Sequence, residues 1–167
     1  MPTEAGLYFS WADVQGYTAE QVGKDKKFSR DDYKFGDYPN FTKYANTDEA
    51  LNLEDDAAHV HMGGDWHVPT PEQIKELINN TTSNWITQDG VNGRLFTSSN
   101  GKSIFIPAAG FAWGSTVLYS GGLGYVWSSL LGTGNVYYGQ YLSFYSDKAG
   151  LYSSYRYFGL SVRGVIG

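Results

Sequence analysis

The chain has 167 residues, 41% hydrophobic and 17% aromatic, with 17% charged residues and no cysteine; that describes one soluble globular domain able to bury about two-thirds of its unfolded surface. The missing cysteine excludes a disulfide scaffold, a Cys–His nucleophile, a zinc ribbon and an iron–sulfur cluster. A net charge of -5, from 17 acidic and 12 basic residues, argues against nucleic acid as a partner.

In chain order, Leu7-Tyr8-Phe9-Ser10-Trp11 reads as a short strand, and residues 15–46, polar and without periodicity, read as loop. Residues 55–62 fit a short helix, with acids at its start and Gly63-Gly64 where a C-cap needs positive φ. A stronger helix begins at Thr70: Thr70 and Gln73 form a T-x-x-Q capping box, Pro71 takes the first helical position, and Ile74, Leu77 and Ile78 make one apolar stripe ending near Asn79-Asn80. Residues 94–97 and 103–107 flank Asn100-Gly101 and predict a β-hairpin. Further strands are expected at 125–128, 141–144 and 160–166, separated by glycine-rich connections at 121–124 and 132–134. No internal repeat or linker divides residues 1–167, so a single domain is expected. No run reaches the roughly 18 apolar residues of a membrane span. Met1-Pro2-Thr3-Glu4 lacks the basic start and apolar core of a signal peptide, so neither feature is expected.

Charge is unevenly spread. Sixteen of the seventeen acids precede position 90, and from Gly110 onward only Asp147, Lys148, Arg156 and Arg163 are charged. The same C-terminal third holds nine of the fourteen tyrosines and twelve of the twenty-one glycines. Tyrosine gives large amphipathic contact area at low rotamer cost, and serine and glycine let a backbone adapt, which is the chemistry of a binding surface. An all-β region whose tyrosine-rich strands simply pack together gives the same composition. Composition leaves both readings open.

Catalytic and metal chemistry find little support. On a helix His59 and His61 point about 200° apart, and no H-E-x-x-H spacing accompanies His67, so no metal or cofactor is expected. The acidic clusters Asp31-Asp32, Asp48-Glu49 and Glu54-Asp55-Asp56 lack apolar neighbours that would raise a pKa, and read as solvated or helix-capping. There is no G-x-S-x-G elbow, Walker loop or dinucleotide fingerprint. The Asn-x-Thr sequons at Asn40, Asn79 and Asn80 matter only in a secretory eukaryotic host.

Five motifs in fixed order carry a resemblance: Asp56-Ala57-Ala58; Gly63-Gly64-Asp65-Trp66-His67-Val68-Pro69-Thr70; Ile104-Phe105-Ile106-Pro107-Ala108-Ala109-Gly110; Val126-Trp127-Ser128-Ser129; and Arg156-Tyr157-Phe158-Gly159-Leu160-Ser161-Val162-Arg163. From about residue 6 to 165 the chain resembles the C-type-lectin-like variable proteins of diversity-generating retroelements, related to the major paralogous domain proteins of gut Bacteroidetes. It departs from them at His67-Val68, where Arg-Met is usual, at Val126, where Tyr is common, and at Gly164, where Pro is common. Formylglycine-generating enzymes resemble the same fold, but their cysteine chemistry has no counterpart here.

The resemblance implies a C-type-lectin-like α+β fold: two short helices, antiparallel sheets and long loops, with Trp127, Arg156 and Arg163 as scaffold. It implies a variable ligand-binding region at 110–165 and a non-enzymatic receptor-recognition role. The partner would be a protein or glycan on a target cell. The chain would sit on a virion or a bacterial surface, as monomer or trimer, without membrane insertion. In such systems template adenines are rewritten, so AAC codons become codons ending in C, which never encode Trp, Gln, Lys, Glu or Met. Between Val117 and Leu160 only Trp127, Gln140 and Lys148 belong to that excluded set. The implied variable positions are Tyr119, Ser120, Tyr125, Val136, Tyr137, Tyr138, Tyr141, Ser143, Tyr145, Tyr152, Ser153, Ser154, Tyr155, Tyr157 and Phe158. Leu142 and Phe144 alternate with Tyr141, Ser143 and Tyr145, so a strand here would bury one set and present the other. Lectin-like calcium binding is not implied, since Asp147 is the one acid in that third. A surface adhesin-like domain with a fixed ligand, and a carbohydrate-active enzyme using Asp147 or Asp55-Asp56, remain the alternatives.

Overall fold

In a computed structural model of the chain, residues 6–167 are described, and Met1-Pro2-Thr3-Glu4 lies outside them. The elements run α1 (Ala57–Met62), α2 (Pro71–Asn80), β1 (Thr81–Gln88), β2 (Val91–Ser98), β3 (Ser103–Pro107), β4 (Phe111–Trp113), β5 (Thr116–Leu118), β6 (Gly124–Gly132), β7 (Asn135–Phe144) and β8 (Ala149–Tyr155). The class is α+β, with antiparallel sheets in the order β1-β2-β3, β4-β5 and β6-β7-β8.

Local chemistry sets both helices. Asp56 caps α1 by accepting from the His59 amide at 2.9 Å, and Gly63 closes it at φ 72°. The same Asp56 carboxylate accepts from Val68 N at 2.9 Å, tying the helix to the strap that follows. At α2 the predicted box is reciprocal: Gln73 N donates to Thr70 Oγ1 at 3.1 Å and Thr70 N to Gln73 Oε1 at 2.9 Å.

The hairpin at Asn100-Gly101 forms as predicted, with Leu95 opposite Phe105. Strand β1 was not anticipated. It follows α2 without a break and pairs with β2 through Asp89-Gly90, whose φ values of 49° and 79° suit the two-residue loop. The predicted strands at 7–11 and 160–166 are corrected. Tyr8 bridges Tyr17, Phe9 bridges Leu160, Ser161 bridges Val126 and Val165 bridges His67, all as isolated bridges. The N-terminal segment and the chain's end stitch one another and the sheets together at single points, so neither extends a ladder.

The β6-β7-β8 sheet is covered on both faces. Val126, Leu142 and Phe144 pack with Phe96, Ile106 and Ile74 of α2. Trp127, Leu131 and Tyr141 pack on the other face against Trp11, Tyr33, Phe35 and Tyr44. Residues 15–46 are irregular apart from a 3-10 turn at Arg30–Asp32, yet they supply much of that second layer. Two indoles lock it: Trp11 donates to Ser128 O at 2.9 Å and Trp127 to Phe9 O at 2.7 Å, so both buried N–H groups are satisfied.

Candidate ligand-binding face

The far end of the β7-β8 pair and the loop carrying Arg30 to Phe41 enclose a cleft of about 310 Å³. Tyr137, Tyr138, Tyr155 and Tyr157 line it together with Tyr38, Arg30, Asp37 and Asn135, and Tyr33, Gly36, Phe41 and Arg156 complete the lining. Strand register explains part of this convergence, since Tyr138 stands opposite Tyr155. Tyr38 then swings in from the loop and meets Tyr137 at a centroid distance of 4.1 Å. The neighbouring Tyr38 hydroxyl pushes the Tyr137 phenol up to about 12.

Aromatic contacts carry the surface onward from the cleft. Tyr138 meets Tyr155 at 4.9 Å, Tyr155 stacks on Tyr157 at 5.3 Å and meets Phe158 at 5.5 Å. Phe158 stacks on Phe111 at 5.4 Å, Phe111 on Tyr125 at 4.9 Å, and Tyr125 meets Tyr141 at 4.7 Å. Tyr119 stacks on Phe111 at 6.1 Å and Trp113 lies 5.6 Å from Phe158. The chain of rings is continuous, with Tyr38 51%, Trp113 55%, Tyr119 64% and Tyr152 45% exposed along it.

The expected positions separate into groups. Tyr137, Tyr138, Tyr155 and Tyr157 line the cleft, while Tyr119, Tyr125, Tyr152 and Phe158 join it through ring contacts. Ser120 and Ser153 are exposed, and Ser143 and Ser154 are half-buried in their strands. Half-buried Tyr145 lies on the turn beyond β7, where it and Tyr152 flank the Lys148 ammonium. Val136 packs against the tryptophan layer.

Tyr141 differs from the alternation read in the sequence: Leu142 and Phe144 are buried, but so is Tyr141, between Tyr125 and Trp127. The loop residues fold over that face, so both sides of β7 are covered there. Burial pushes the Tyr141 hydroxyl well above the ordinary phenol range.

The expected scaffold residues differ in burial, and Arg163 is half-buried. Trp127 and Arg156 are buried, and Arg163 directs Nη1 at Phe105 O, 3.5 Å away. The acids considered for catalysis lie elsewhere. Asp55 is engaged by Lys43 at 2.6 Å and by the Tyr44 hydroxyl at 2.8 Å, Asp56 caps α1, and Asp147 is exposed in a turn. Burial of Asp55 opposes its charge, but Lys43, Tyr44 and Lys34 outweigh it and hold the carboxyl below its usual range. Of the histidines, His61 Nε2 lies 2.7 Å from Val14 O, and His67 places its ring nitrogens 2.8 and 3.0 Å from the Val68 and Gly167 carbonyls.

Sequence reasoning missed Tyr38, Arg30, Asp37, Phe111 and Trp113. A weak signal existed in Asp37-Tyr38-Pro39 and Trp113-Gly114-Ser115, aromatic residues set in turns, where apolar burial is not the default. No family model, curated protein or solved structure matches this chain.

Proposed function

We propose that this chain is a C-type-lectin-like ligand-binding domain, diversified by a retroelement, that presents its tyrosine-rich face to a glycan or protein on a target cell. The observation that carries the reading is the continuous aromatic surface running from Tyr38 through Tyr155 and Phe158 to Tyr119, opening on a cleft of about 310 Å³. Contiguous exposed aromatics on a rigid sheet favour an interface, because each supplies amphipathic area with few rotors to freeze. Separation from the core supports diversification: Trp11, Trp127, Leu131 and Phe144 hold the sheet, whereas Tyr119, Ser120, Tyr152 and Ser153 stand at the surface. Such a domain acts at a virion or bacterial surface without catalysis.

A fixed-ligand adhesin of the same fold is the second reading. It is favoured at Tyr141, whose burial makes free substitution costly. The test is the parent locus together with cell binding. An imperfect repeat of the segment encoding 110–165, differing only at template adenines in the tyrosine and serine codons named above, establishes diversification. Mismatches falling on the Trp127 or Arg156 codons, or the lack of any repeat, refute it. In parallel, the fluorescently labelled chain should bind target cells and lose that binding with Tyr155→Ala/Tyr157→Ala at unchanged thermal stability; equal binding by the double variant would refute the face.

A further inference from the structure

We propose that the cleft between Arg30 and Arg156 is a subsite for a carboxylate-bearing sugar, a uronic or sialic acid residue at the end of a glycan; this rests on reading the tyrosine face as a ligand site. The argument starts at Arg156, which is 1% exposed. Its Nη1 donates to Tyr44 O at 2.7 Å and Val136 O at 3.3 Å, Nη2 to Lys43 O at 2.9 Å, and Nε to the Tyr33 hydroxyl at 3.3 Å. The Phe41 ring covers it at 4.0 Å.

Every one of these partners is neutral. A guanidinium carries five N–H groups, so one Nη2 N–H has no acceptor among the described residues. Ring faces of Trp11 at 5.2 Å, Tyr33 at 5.4 Å and Phe41 at 4.0 Å offset part of its charge, and a carboxylate in the cleft would add the formal counter-charge that its hydrogen-bond partners do not supply. Asp55 does not serve, since Lys43 and Tyr44 already engage it.

Arg30 adds a second guanidinium at the rim, beside the Tyr157 hydroxyl. Asp37 is the one carboxylate lining the cleft, and its Oδ1 accepts from Tyr38 N at 2.8 Å. Two cations against one anion make the cleft locally positive on a chain of net charge -5. That inversion selects for an anionic group.

The remaining lining selects for a sugar to carry it. Tyr38, Tyr137, Tyr138, Tyr155 and Tyr157 bring both phenol hydroxyls and ring area to the cleft, a combination that suits a polyol with apolar C–H faces. Asn135 accepts from Tyr137 N at 2.9 Å through Oδ1, which leaves its NH₂ without a partner among the described residues. An Asp or Glu side chain of a peptide would fill a small part of 310 Å³ and leave these groups unmatched.

Calorimetric titration of the whole chain tests this with 3′-sialyllactose, a glucuronic-acid-terminated disaccharide, neutral lactose and tetraglutamate. The acidic sugars should bind at least about tenfold more tightly than lactose or tetraglutamate, as a charge-assisted contact implies. Arg30→Gln, at an exposed position, should weaken acidic-sugar binding about three- to tenfold, and Asp37→Asn should strengthen it. Lactose binding as well as the acids, tetraglutamate binding better, or an Arg30→Gln variant with unchanged affinity would each overturn the subsite. Cell binding that depends on Tyr155 and Tyr157 while no acidic sugar binds overturns the subsite alone. Loss of both removes the face as well.

Discussion

Tyr141 and Tyr152 stand opposite one another on neighbouring strands, and both belong to the set that the family resemblance implies as variable. Their surroundings assign them opposite energetic roles. Tyr141 is 8% exposed, with Tyr125 at 4.7 Å and Trp127 at 6.2 Å, whereas Tyr152 lies at the surface and meets Tyr141 at 6.4 Å. Truncating a buried aromatic to alanine removes its transfer energy and leaves a cavity, about 3–5 kcal/mol. Tyr141→Ala also takes from Tyr125 the ring that packs edge-on against it at 4.7 Å. At roughly 2–4 °C per kcal/mol for a domain of this size, Tyr141→Ala should lower the midpoint by about 10 °C. Tyr152→Ala should move it by less than about 3 °C, as surface substitutions do. Thermal unfolding followed by circular dichroism, with urea unfolding to check that the m value is unchanged, gives the comparison. Equal shifts for the two variants would refute the division of the tyrosines into core and surface members. So would a Tyr141→Ala loss below about 1 kcal/mol, since that would place the ring outside the core.

Acid sensitivity should trace to Asp55, whose burial opposes its charge but whose contacts with Lys43, Tyr44 and Lys34 hold its carboxyl low. A carboxyl lowered by folding stabilises fully above its unfolded pKa of about 3.9 and loses that stabilisation as pH falls through the folded value. The wild-type urea midpoint should therefore fall below about pH 4 more steeply than that of Asp55→Asn, which starts lower at pH 7; parallel slopes would exclude Asp55 as the source. Packing at the start of β6 makes a separate claim. A methyl on Gly124 would collide with the Phe144 ring, itself buried against Phe96 at 6.3 Å. Gly124→Ala should lose about 1–3 kcal/mol or more, while Gly122→Ala, with only Tyr119 O at 3.7 Å, should be close to neutral. Matching denaturation curves for these alanine variants would contradict the packing account.

The division of labour within the fold follows from where charge and aromatic area reside. The neutral C-terminal third builds a rigid sheet and most of the ring surface, while the charged N-terminal loop contributes Arg30, Asp37 and Tyr38 to its cleft. A diversified sheet would then vary ring shape around an electrostatic floor that does not itself vary. Arg156 suits that role, since carbonyls of Lys43, Tyr44 and Val136 fix its guanidinium through backbone groups that survive side-chain change.

Local signals in the sequence determined the two helices, their caps, the Asn100-Gly101 hairpin and the α+β class, because capping and turn formation depend on side chains within a few residues of the backbone they satisfy. The concentration of tyrosine after Gly110 is likewise a compositional signal for where most of the rings reside, though it says nothing of the loop residues that meet them. Strand β1 escaped because its polar residues, Thr81 through Asn84, continue directly from a helix and carry little alternation. Residues 7–11 and 160–166 resemble strands in composition, but their backbone partners were assigned one at a time by distant segments. Tertiary structure alone decided that Tyr141 is buried, since a strand's alternation shows which side chains share a face and not whether a loop covers that face. It alone brought Tyr38 to Tyr137 and Arg156 beneath Phe41, contacts between residues about a hundred positions apart that no local spacing encodes.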